Sequence, residues 1–302
     1  MNEPRYEALE QIEQMLEAEN YVAGHEIALS IYLARTLEKP LLVEGPAGVG
    51  KTEIAKVMAS ALQTDMIRLQ CYEGLDAASA LYEWNYQHQL LHLKMDEQSG
   101  RSPEQKSETL FSDTFLLKRP LLQAITADRA PVLLIDELDR ADEEFESFLL
   151  EVLSEWQISI PEIGPIRATH IPHVVITSNR TRDISDAVRR RCLYLWIDYP
   201  DFEKELSILK RKVNGIDTVL AEQICRFMER IRTEDLEKIP GLSETLDWAR
   251  ALVALHRDRL DPQIVSDTLG IVFKERNDMQ HVQTSLAEFL EQLGIRPKTA
   301  PP

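Results

Sequence analysis

The chain has 302 residues, 44% of them hydrophobic, and a formal net charge of −17, which together predict one or two globular domains with a large core. Such an acidic balance disfavours nucleic acid as a partner, because most of the surface repels phosphates. No apolar run is long enough for a membrane span, the N-terminus lacks the pattern of a signal peptide, and three widely spaced cysteines disfavour a disulfide framework or a zinc site, so we expect a cytoplasmic protein.

The first predicted elements lead into a phosphate-binding motif. Apolar side chains at helical spacing predict helices over 5–19 and 27–37, and the apolar run Leu41-Leu42-Val43 predicts a strand over 41–44. The strand is followed by Gly45-Pro-Ala-Gly-Val-Gly-Lys51-Thr52 and then by a helical pattern up to Leu62. This is the G-x-x-x-x-G-K-[ST] phosphate loop, and the agreement of strand, loop and helix disfavours a chance glycine turn.

The loop predicts ATP and Mg²⁺ as cofactors. Its glycines let consecutive backbone N–H groups curl around phosphates, and the following helix contributes the positive end of its dipole. Lys51 supplies a point charge to the β- and γ-phosphates, and Thr52 offers a hydroxyl to Mg²⁺. The expected nucleotide-binding residues are Gly45, Pro46, Ala47, Gly48, Val49, Gly50, Lys51, Thr52 and Glu53.

The next segment is less regular. A second strand is predicted over 66–70, and residues 73–118 are expected to form an insert that contains a helix and a mobile loop over the polar stretch 96–108. Three alternating aromatic residues in this insert have two open interpretations, ordinary packing or an aromatic grip on a partner: Tyr82, Trp84 and Tyr86. A helix over 121–127 leads into the next strand.

A pair of carboxylates follows a fully apolar strand. The run 132–135 is typical of a buried parallel strand, and it ends in Asp136 and Glu137. With the phosphate loop upstream, Asp136 is predicted to hold the metal shell with Thr52, and Glu137 to activate a water toward the γ-phosphate. The alternative for the pair is a solvated acidic turn, and the acidic run 137–151 is expected to be mostly a solvated helix face.

The remaining pattern predicts the fold class. A hairpin is expected around Pro161 and Pro165, and further buried strands over 174–177 and 193–197 alternate with helices, as in an α/β fold with a parallel sheet covered on both faces. After Pro200 only helical patterns occur, with Ser243 and Asp261 as expected N-caps. We therefore predict a nucleotide-binding domain over 1–200 and a small all-helical domain over 201–302.

Together these motifs resemble the AAA+ ATPases, and more narrowly the MoxR family in its CoxD-type branch. The resemblance implies an AAA+ core, with a parallel sheet sandwiched by helices, followed by a helical lid. It extends through almost the whole core and is carried by Leu69-Gln-Cys-Tyr-Glu-Gly74-Leu, Tyr82-Glu-Trp-Asn-Tyr86, Lys118-Arg-Pro-Leu-Leu122, Leu134-Ile-Asp-Glu-Leu-Asp-Arg140-Ala, Phe148-Leu-Leu-Glu151, Ile160-Pro-Glu-Ile-Gly164, Thr177-Ser-Asn-Arg180 and Arg189-Arg-Arg-Cys-Leu193.

The resemblance also implies further roles. Asn179 matches the sensor-1 residue that orients the attacking water, and Arg191, with Arg190 as second choice, matches the arginine finger that completes a neighbour's site in a ring, expected to be a hexamer. The implied work is remodelling or maturation of a protein client with a von Willebrand factor A domain partner; CoxD-type members are linked to assembling the metal site of carbon monoxide dehydrogenase.

One departure from the family keeps other functions open. Many MoxR relatives carry a sensor-2 arginine where this chain has Thr245, and the nearest arginine in that helix, Arg250, lies five residues on and about 140° around the helix axis. A nucleotide-gated scaffold with little turnover is therefore one alternative. A nucleic-acid motor is the other, which the net charge and the lack of a basic stripe disfavour.

Overall fold

The structure, a computed structural model, describes residues 4–96 and 102–295. The strands in these ranges are β1 (Leu41–Glu44), β2 (Met66–Gln70), β3 (Tyr82–Trp84), β4 (Leu116–Lys118), β5 (Val132–Asp136), β6 (Gln157–Ile160), β7 (Gly164–Arg167), β8 (His173–Ser178) and β9 (Leu193–Trp196). The α-helices are α1 (Pro4–Ala18), α2 (His25–Thr36), α3 (Lys51–Ala61), α4 (Ala77–Leu81), α5 (Tyr86–Met95), α6 (Pro103–Leu110), α7 (Pro120–Ile125), α8 (Glu143–Glu155), α9 (Asp186–Arg191), α10 (Phe202–Lys212), α11 (Thr218–Ile231), α12 (Leu242–Ala254), α13 (Pro262–Val272) and α14 (Arg276–Gln292). None of the helices in these ranges combines the length and hydropathy that a membrane span requires.

The chain divides into two compact units. Among the described residues, the first unit comprises 4–15, 25–44 and 52–196, with a gap at 97–101, and the second comprises 16–24, 45–51 and 197–295.

A five-stranded parallel sheet forms the centre of the first unit, in the order β2-β5-β8-β1-β9. Every residue of β1 and β5 is buried. Because successive side chains of a strand point to opposite faces, this burial means that both faces of the sheet are covered. The predicted α/β fold with a parallel sheet flanked by helices is confirmed.

The strand register brings polar residues to one edge of the sheet. Gln70 pairs with Asp136 between β2 and β5, and Glu44 pairs with Ser178 between β1 and β8. These are the last residues of their strands, and parallel strands end at the same edge. Ligands of open α/β sheets bind at this carboxyl edge, so the register itself assembles a candidate site.

Residues 73–96 and 102–118 add a two-stranded sheet to the first unit, and their buried side chains, such as Trp84 and Phe115, join its core. Strands β3 and β4 pair antiparallel, with α5 and α6 between them in the chain. Trp84 is buried and meets Phe111 edge-on with ring centroids 5.2 Å apart, whereas Tyr86 is exposed at the start of α5. The aromatic residues therefore differ: Trp84 packs as a core anchor and Tyr86 does not.

The expected mobile loop over 96–108 is partly wrong, and its residues 97–101 lie outside the described ones. From Pro103 the chain is helical, because Ser102 and Gln105 form a capping box in which each side chain accepts from the other's backbone N–H, at 3.3 and 3.1 Å. The prediction of a loop was based on the low apolar content of this stretch and did not consider its helix-capping residues.

The second unit contains the five helices α10 to α14 around a core that includes Phe227 and Trp248. The predicted cap at Asp261 is confirmed, since its carboxylate accepts from the Ile264 N–H at 2.9 Å. The predicted cap at Ser243 is wrong, because α12 begins earlier and Gly241 is its N-cap residue. Glu244 reaches back to accept from the Gly241 N–H at 2.9 Å, as the N3 glutamate of a capping box does.

A buried ion pair ties α10 to the end of α11. Arg232 donates Nη1 and Nη2 to the two carboxylate oxygens of Glu205 at 2.8 and 2.7 Å, and the two side chains are 8% and 1% exposed. Removing one partner leaves a buried charge uncompensated. We expect Glu205→Ala to lower the free energy of unfolding by about 3–5 kcal/mol, measured by urea denaturation.

The control for this prediction is Asp247→Ala, which removes an exposed ion pair with Arg250 on α12. Its expected effect is within about 0.5 kcal/mol, because water screens and solvates exposed pairs. Equal effects of the two substitutions would contradict a structural role for the buried pair.

Candidate functional site

Asp136 is the most strongly partnered carboxylate at the sheet edge. It is the last residue of β5 and is buried. Oδ1 accepts from Thr52 Oγ1 at 3.2 Å and from Thr177 Oγ1 at 2.6 Å, and Oδ2 accepts from Arg68 Nη2 at 2.5 Å. The partners come from α3, β8 and β2, so the carboxylate is held from three directions. Such partners are what permit a charge to be buried.

Glu137 occupies a sharp turn immediately after β5. Its φ of 57° and ψ of 50° are left-handed, which is strained for a residue with a side chain. Its N–H donates to Thr177 Oγ1 at 2.9 Å, so the same hydroxyl that donates to Asp136 also fixes the Glu137 backbone. The two carboxylates therefore have a defined relative orientation through one threonine.

The Glu137 side chain lies among three donors. Oε1 accepts from Asn179 Nδ2 at 3.4 Å, and Oε2 accepts from Gln70 Nε2 at 3.1 Å and pairs with Arg140 Nε at 3.0 Å. The side chain is 31% exposed, so water reaches it. Asn179 and Glu137, predicted from different motifs, are thus brought together.

The segment that carries Asn179 is anchored by a buried carboxylate. Asp139 accepts from the N–H of Asn179 at 3.1 Å and from the N–H and hydroxyl of Thr181 at 2.9 and 2.6 Å. Glu146 on α8 is also buried and accepts from the Ser185 N–H at 2.8 Å. The expectation of a mostly solvated acidic face is therefore wrong at these two positions, because both carboxylates satisfy backbone donors of the loop after β8.

The phosphate loop over 45–51 belongs to the second unit and is tightly constrained. A Cβ on Gly45 would lie 1.9 Å from the Ile197 carbonyl oxygen, and Gly48 has a φ of 77° with Ser243 Oγ at 2.7 Å from the position of a Cβ. Lys51 is buried and donates Nζ to the carbonyl oxygens of Gly45 and Pro46 at 2.8 and 2.6 Å. A side chain at Gly45 would clash with the Ile197 backbone, and one at Gly48 would require a strained left-handed backbone, so the protein's own packing favours glycine at both positions.

Lys51, Thr52 and Glu53 form the first turn of α3, and Glu53 makes an ion pair with Lys56 at 3.3 Å. No cluster of three or more His, Cys, Asp or Glu residues suited to a metal occurs in 4–96 and 102–295. The hydroxyl of Thr52 and the carboxylate of Asp136 nevertheless fit Mg²⁺, which takes few protein oxygens and keeps several waters. They are the two residues that would hold it.

The three consecutive arginines of α9 have three different environments. Arg189 donates Nη2 to Glu44 Oε1 at 2.8 Å, and Arg191 donates Nε to Ser154 Oγ at 2.7 Å and Nη1 to the Ala187 carbonyl at 3.1 Å. Arg190 is exposed and has no hydrogen bond or ion pair with any residue that the structure describes. Arg191 is exposed as well, so both candidates for the finger lie on the surface of the first unit.

Thr245 is the position at which the resemblance to the MoxR family predicts a sensor-2 arginine. It is buried, donates its hydroxyl to Glu205 Oε1 at 2.7 Å and accepts from Arg232 Nη2 at 3.0 Å. Arg250 is exposed beside Asp247. The position of the missing arginine is thus part of the buried ion-pair network of the second unit.

The sequence interpretation missed four groups that contact the two carboxylates: Arg68, Gln70, Arg140 and Thr177. Arg68 and Gln70 lie two residues apart on β2 and therefore share a face. Their polar character within an otherwise apolar strand was the signal in the sequence that could have identified them.

The neighbouring Cys71 thiol is buried close to the same carboxylates. Its pKa is raised to about 12, with burial as the larger cause and the charge of Asp136 next.

The chain is similar to several known proteins. An uncharacterized protein of Staphylococcus haemolyticus is 27% identical over 266 residues, which are 86% of this chain and 89% of that protein. Another, from Staphylococcus saprophyticus, is 24% identical over 270 residues with the same coverage. Among solved structures, the RuvB Holliday junction branch migration motor of Thermotoga maritima is 19% identical, covering 89% of this chain and 80% of that one with a TM-score of 0.47.

The match to a family model extends from the start of β1 to the end of α9. It covers residues 40–192, just over half of the chain, and the model describes an AAA domain of the dynein-related subfamily. The matched range contains the phosphate loop, the Asp136–Glu137 pair, Asn179 and the three arginines of α9. The topology of the sheet and this match together identify the fold as that of an AAA+ ATPase, and the chain belongs to the AAA domain (dynein-related) family.

Proposed function

We propose that the protein is a MoxR-type AAA+ ATPase of the CoxD-type branch, which binds Mg-ATP in a ring and hydrolyses it to ADP and phosphate. The main support for this proposal is the arrangement of Asp136, Glu137 and Asn179 at the ends of β5 and β8. One threonine hydroxyl orients both Asp136 and Glu137, and the Asn179 amide lies 3.4 Å from the Glu137 carboxylate. A carboxylate and an amide at this separation can address the same water.

Each residue has a proposed role in the reaction. The loop residues Gly45 to Thr52, with Glu53 in the same helical turn, hold the nucleotide, and Lys51 places its ammonium group on the β- and γ-phosphates. Thr52 and Asp136 hold Mg²⁺, which neutralises phosphate charge when bound. Glu137 accepts the proton of the attacking water, and Asn179 orients that water. Arg191 of a neighbouring subunit stabilises charge on the transferred phosphoryl group, with Arg190 as second choice.

The proposed output is the remodelling or maturation of a protein client. By resemblance to the MoxR family, the ring is a hexamer that works with a von Willebrand factor A domain protein, and metalloenzyme cofactor assembly is one form of that work. We further propose that residues 1–200 form the nucleotide-binding domain and 201–302 the lid, and that the protein is cytoplasmic. Coexpression with a von Willebrand factor A domain protein of the same organism, followed by co-purification with and without ATP, tests the partner.

Lys51→Ala should abolish ATP binding in calorimetry. Hydrogen bonds to charged groups contribute about 1.5–3 kcal/mol each, and Lys51 is proposed to serve two phosphates, so the loss of affinity should exceed about 100-fold. Lys56→Ala, on the same helix but exposed beside Glu53, is the matched control and should bind ATP normally. Unchanged affinity of a folded Lys51→Ala protein would refute the phosphate-loop assignment.

A second candidate function, a nucleotide-gated scaffold with little turnover, is favoured by Thr245. That position holds a threonine whose hydroxyl is engaged with Glu205 and Arg232, so it offers no cationic group to a phosphate. In both functions ATP binding assembles the ring. A scaffold would then hydrolyse little ATP, whereas an ATPase would hydrolyse it repeatedly. The scaffold and the ATPase are separated by measuring particle size and phosphate release with ADP, with ATP and with a slowly hydrolysed analogue. A nucleic-acid motor is tested by measuring phosphate release with and without single-stranded DNA.

A further inference from the structure

Glu44 is a buried carboxylate that the proposed reaction does not use. It is the last residue of β1 and is 0% exposed. Oε1 accepts from Arg189 Nη2 at 2.8 Å, and Oε2 lies 3.8 Å from Arg180 Nε. Burying a charge is costly unless it is paired, so this glutamate is expected to hold its partners firmly.

The stronger of the two contacts leads to α9. Arg189 lies two residues before Arg191, and its Nε donates to the Ile184 carbonyl oxygen at 3.2 Å, just before the helix begins. Its guanidinium therefore links the end of β1 to both the approach to α9 and the helix itself. The contact joins residues 145 positions apart in the chain.

The helix needs such external support. It has only six residues, and an isolated helix of that length is unstable in water because nucleation is unfavourable. Its orientation therefore depends on tertiary contacts. Val188 is buried, and on the α8 side Arg191 contacts Ser154 while Glu146 holds Ser185. Within the described ranges, Glu44 is the one acidic side chain that contacts an arginine of α9.

We propose that Glu44 is a positioning residue for the arginine finger: through Arg189 it fixes α9 so that the arginine at the end of the helix meets the neighbouring subunit's nucleotide. This inference rests on the proposed function, in which the finger acts in trans. It predicts that loss of Glu44 impairs a subunit as a donor of the finger and leaves its own nucleotide site intact.

The first test is the kinetic behaviour of Glu44→Gln, which keeps the shape of the side chain and removes its charge. We expect kcat to fall by about 10²-fold, the order of loss caused by a displacement near 1 Å, with ATP affinity changed less than about 2-fold. Arg189→Gln should behave in the same way, whereas Arg119→Gln, which removes an exposed pair with Glu83, should leave kcat unchanged. A larger loss of ATP affinity than of kcat would overturn the inference.

The second test mixes inactive variants in one ring. Glu44→Gln mixed with Glu137→Gln should recover activity, because a normal finger of the second meets a normal site of the first. Glu44→Gln mixed with Arg191→Ala should not recover, since both are defective as finger donors. A purely structural defect would not produce this asymmetry. The reverse pattern would mean that Glu44 acts on its own nucleotide site and would overturn the inference.

A reference mixture separates this inference from the proposed function. Arg191→Ala mixed with Glu137→Gln should recover activity if the finger acts in trans at all. Failure of that mixture would overturn the proposed function and this inference together. Recovery there, with none for Glu44→Gln and Glu137→Gln, would overturn the role of Glu44 alone. If Glu44→Gln does not fold, Arg189→Gln gives the same test, because its side chain is 29% exposed and tolerates the change.

Discussion

Glu137→Gln is expected to bind ATP with unchanged affinity and to hydrolyse it about 10²–10⁴-fold more slowly than the unmodified protein. The amide keeps the length of the side chain and still reaches a water, but it cannot accept the water's proton. The left-handed backbone at this position is held by the N–H bond to Thr177, which the substitution leaves intact. Calorimetry for binding and phosphate release for turnover are the two measurements.

The matched control is Glu144→Gln, an exposed glutamate on α8 that should hydrolyse ATP normally. The substitution could also lower stability, because Gln70 and Asn179 donate to the Glu137 carboxylate and Arg140 forms an ion pair with it. An unchanged melting temperature of Glu137→Gln would exclude a loss of stability as the cause of the slower hydrolysis. Turnover at the normal rate would show that Glu137 is not the water-activating residue.

Arg191→Ala is expected to lower the rate of hydrolysis by about 10³-fold or more, as for other arginine fingers. ATP affinity should fall much less, because the arginine mainly meets charge that develops in the transition state. If the finger acts in trans, an isolated protomer has an incomplete site, so the specific activity of the unmodified protein should also rise with its concentration as rings form. A phosphate-release assay across a dilution series measures both effects.

Arg190→Ala is the comparison that decides between the two arginines. Arg191 is engaged by Ser154 and the Ala187 carbonyl, whereas Arg190 is exposed and makes no such contact in the described part of the chain. If Arg190→Ala shows the large loss and Arg191→Ala does not, the finger is Arg190. Activity independent of concentration, together with normal turnover of both variants, would contradict a finger in trans.

Much of the first unit was predictable from local patterns. The strands predicted over 41–44, 132–135 and 174–177 are confirmed as β1, β5 and β8. In the second unit, the predicted helix cap at Asp261 also follows local rules. The failures have local causes as well. The capping box of Ser102 was overlooked in a polar stretch, and Ser243 was preferred as a cap although α12 already begins at Leu242, after its N-cap residue Gly241.

The acidic run after β5 shows a different limit. Asp139 and Glu146 are acidic residues of the same run as the exposed Glu143 and Glu144, yet they are buried. The difference arises because the loop after β8 presents backbone donors to these two positions, 39 to 42 residues further along the chain. Composition predicts a charged face, but only the folded chain selects which charges are partnered.

The sequence by itself determined the phosphate loop, the strand that ends in Asp136 and Glu137, and the α/β class. Each depends on the backbone freedom, charge or periodicity of consecutive residues, which is a local property. The tertiary structure decided how the carboxylates are held: Arg68, Thr177 and Arg189 reach Asp136 and Glu44 from 68, 41 and 145 positions away. These contacts follow from the strand order β2-β5-β8-β1-β9, which brings distant strand ends to one edge of the sheet, and no local pattern encodes that order.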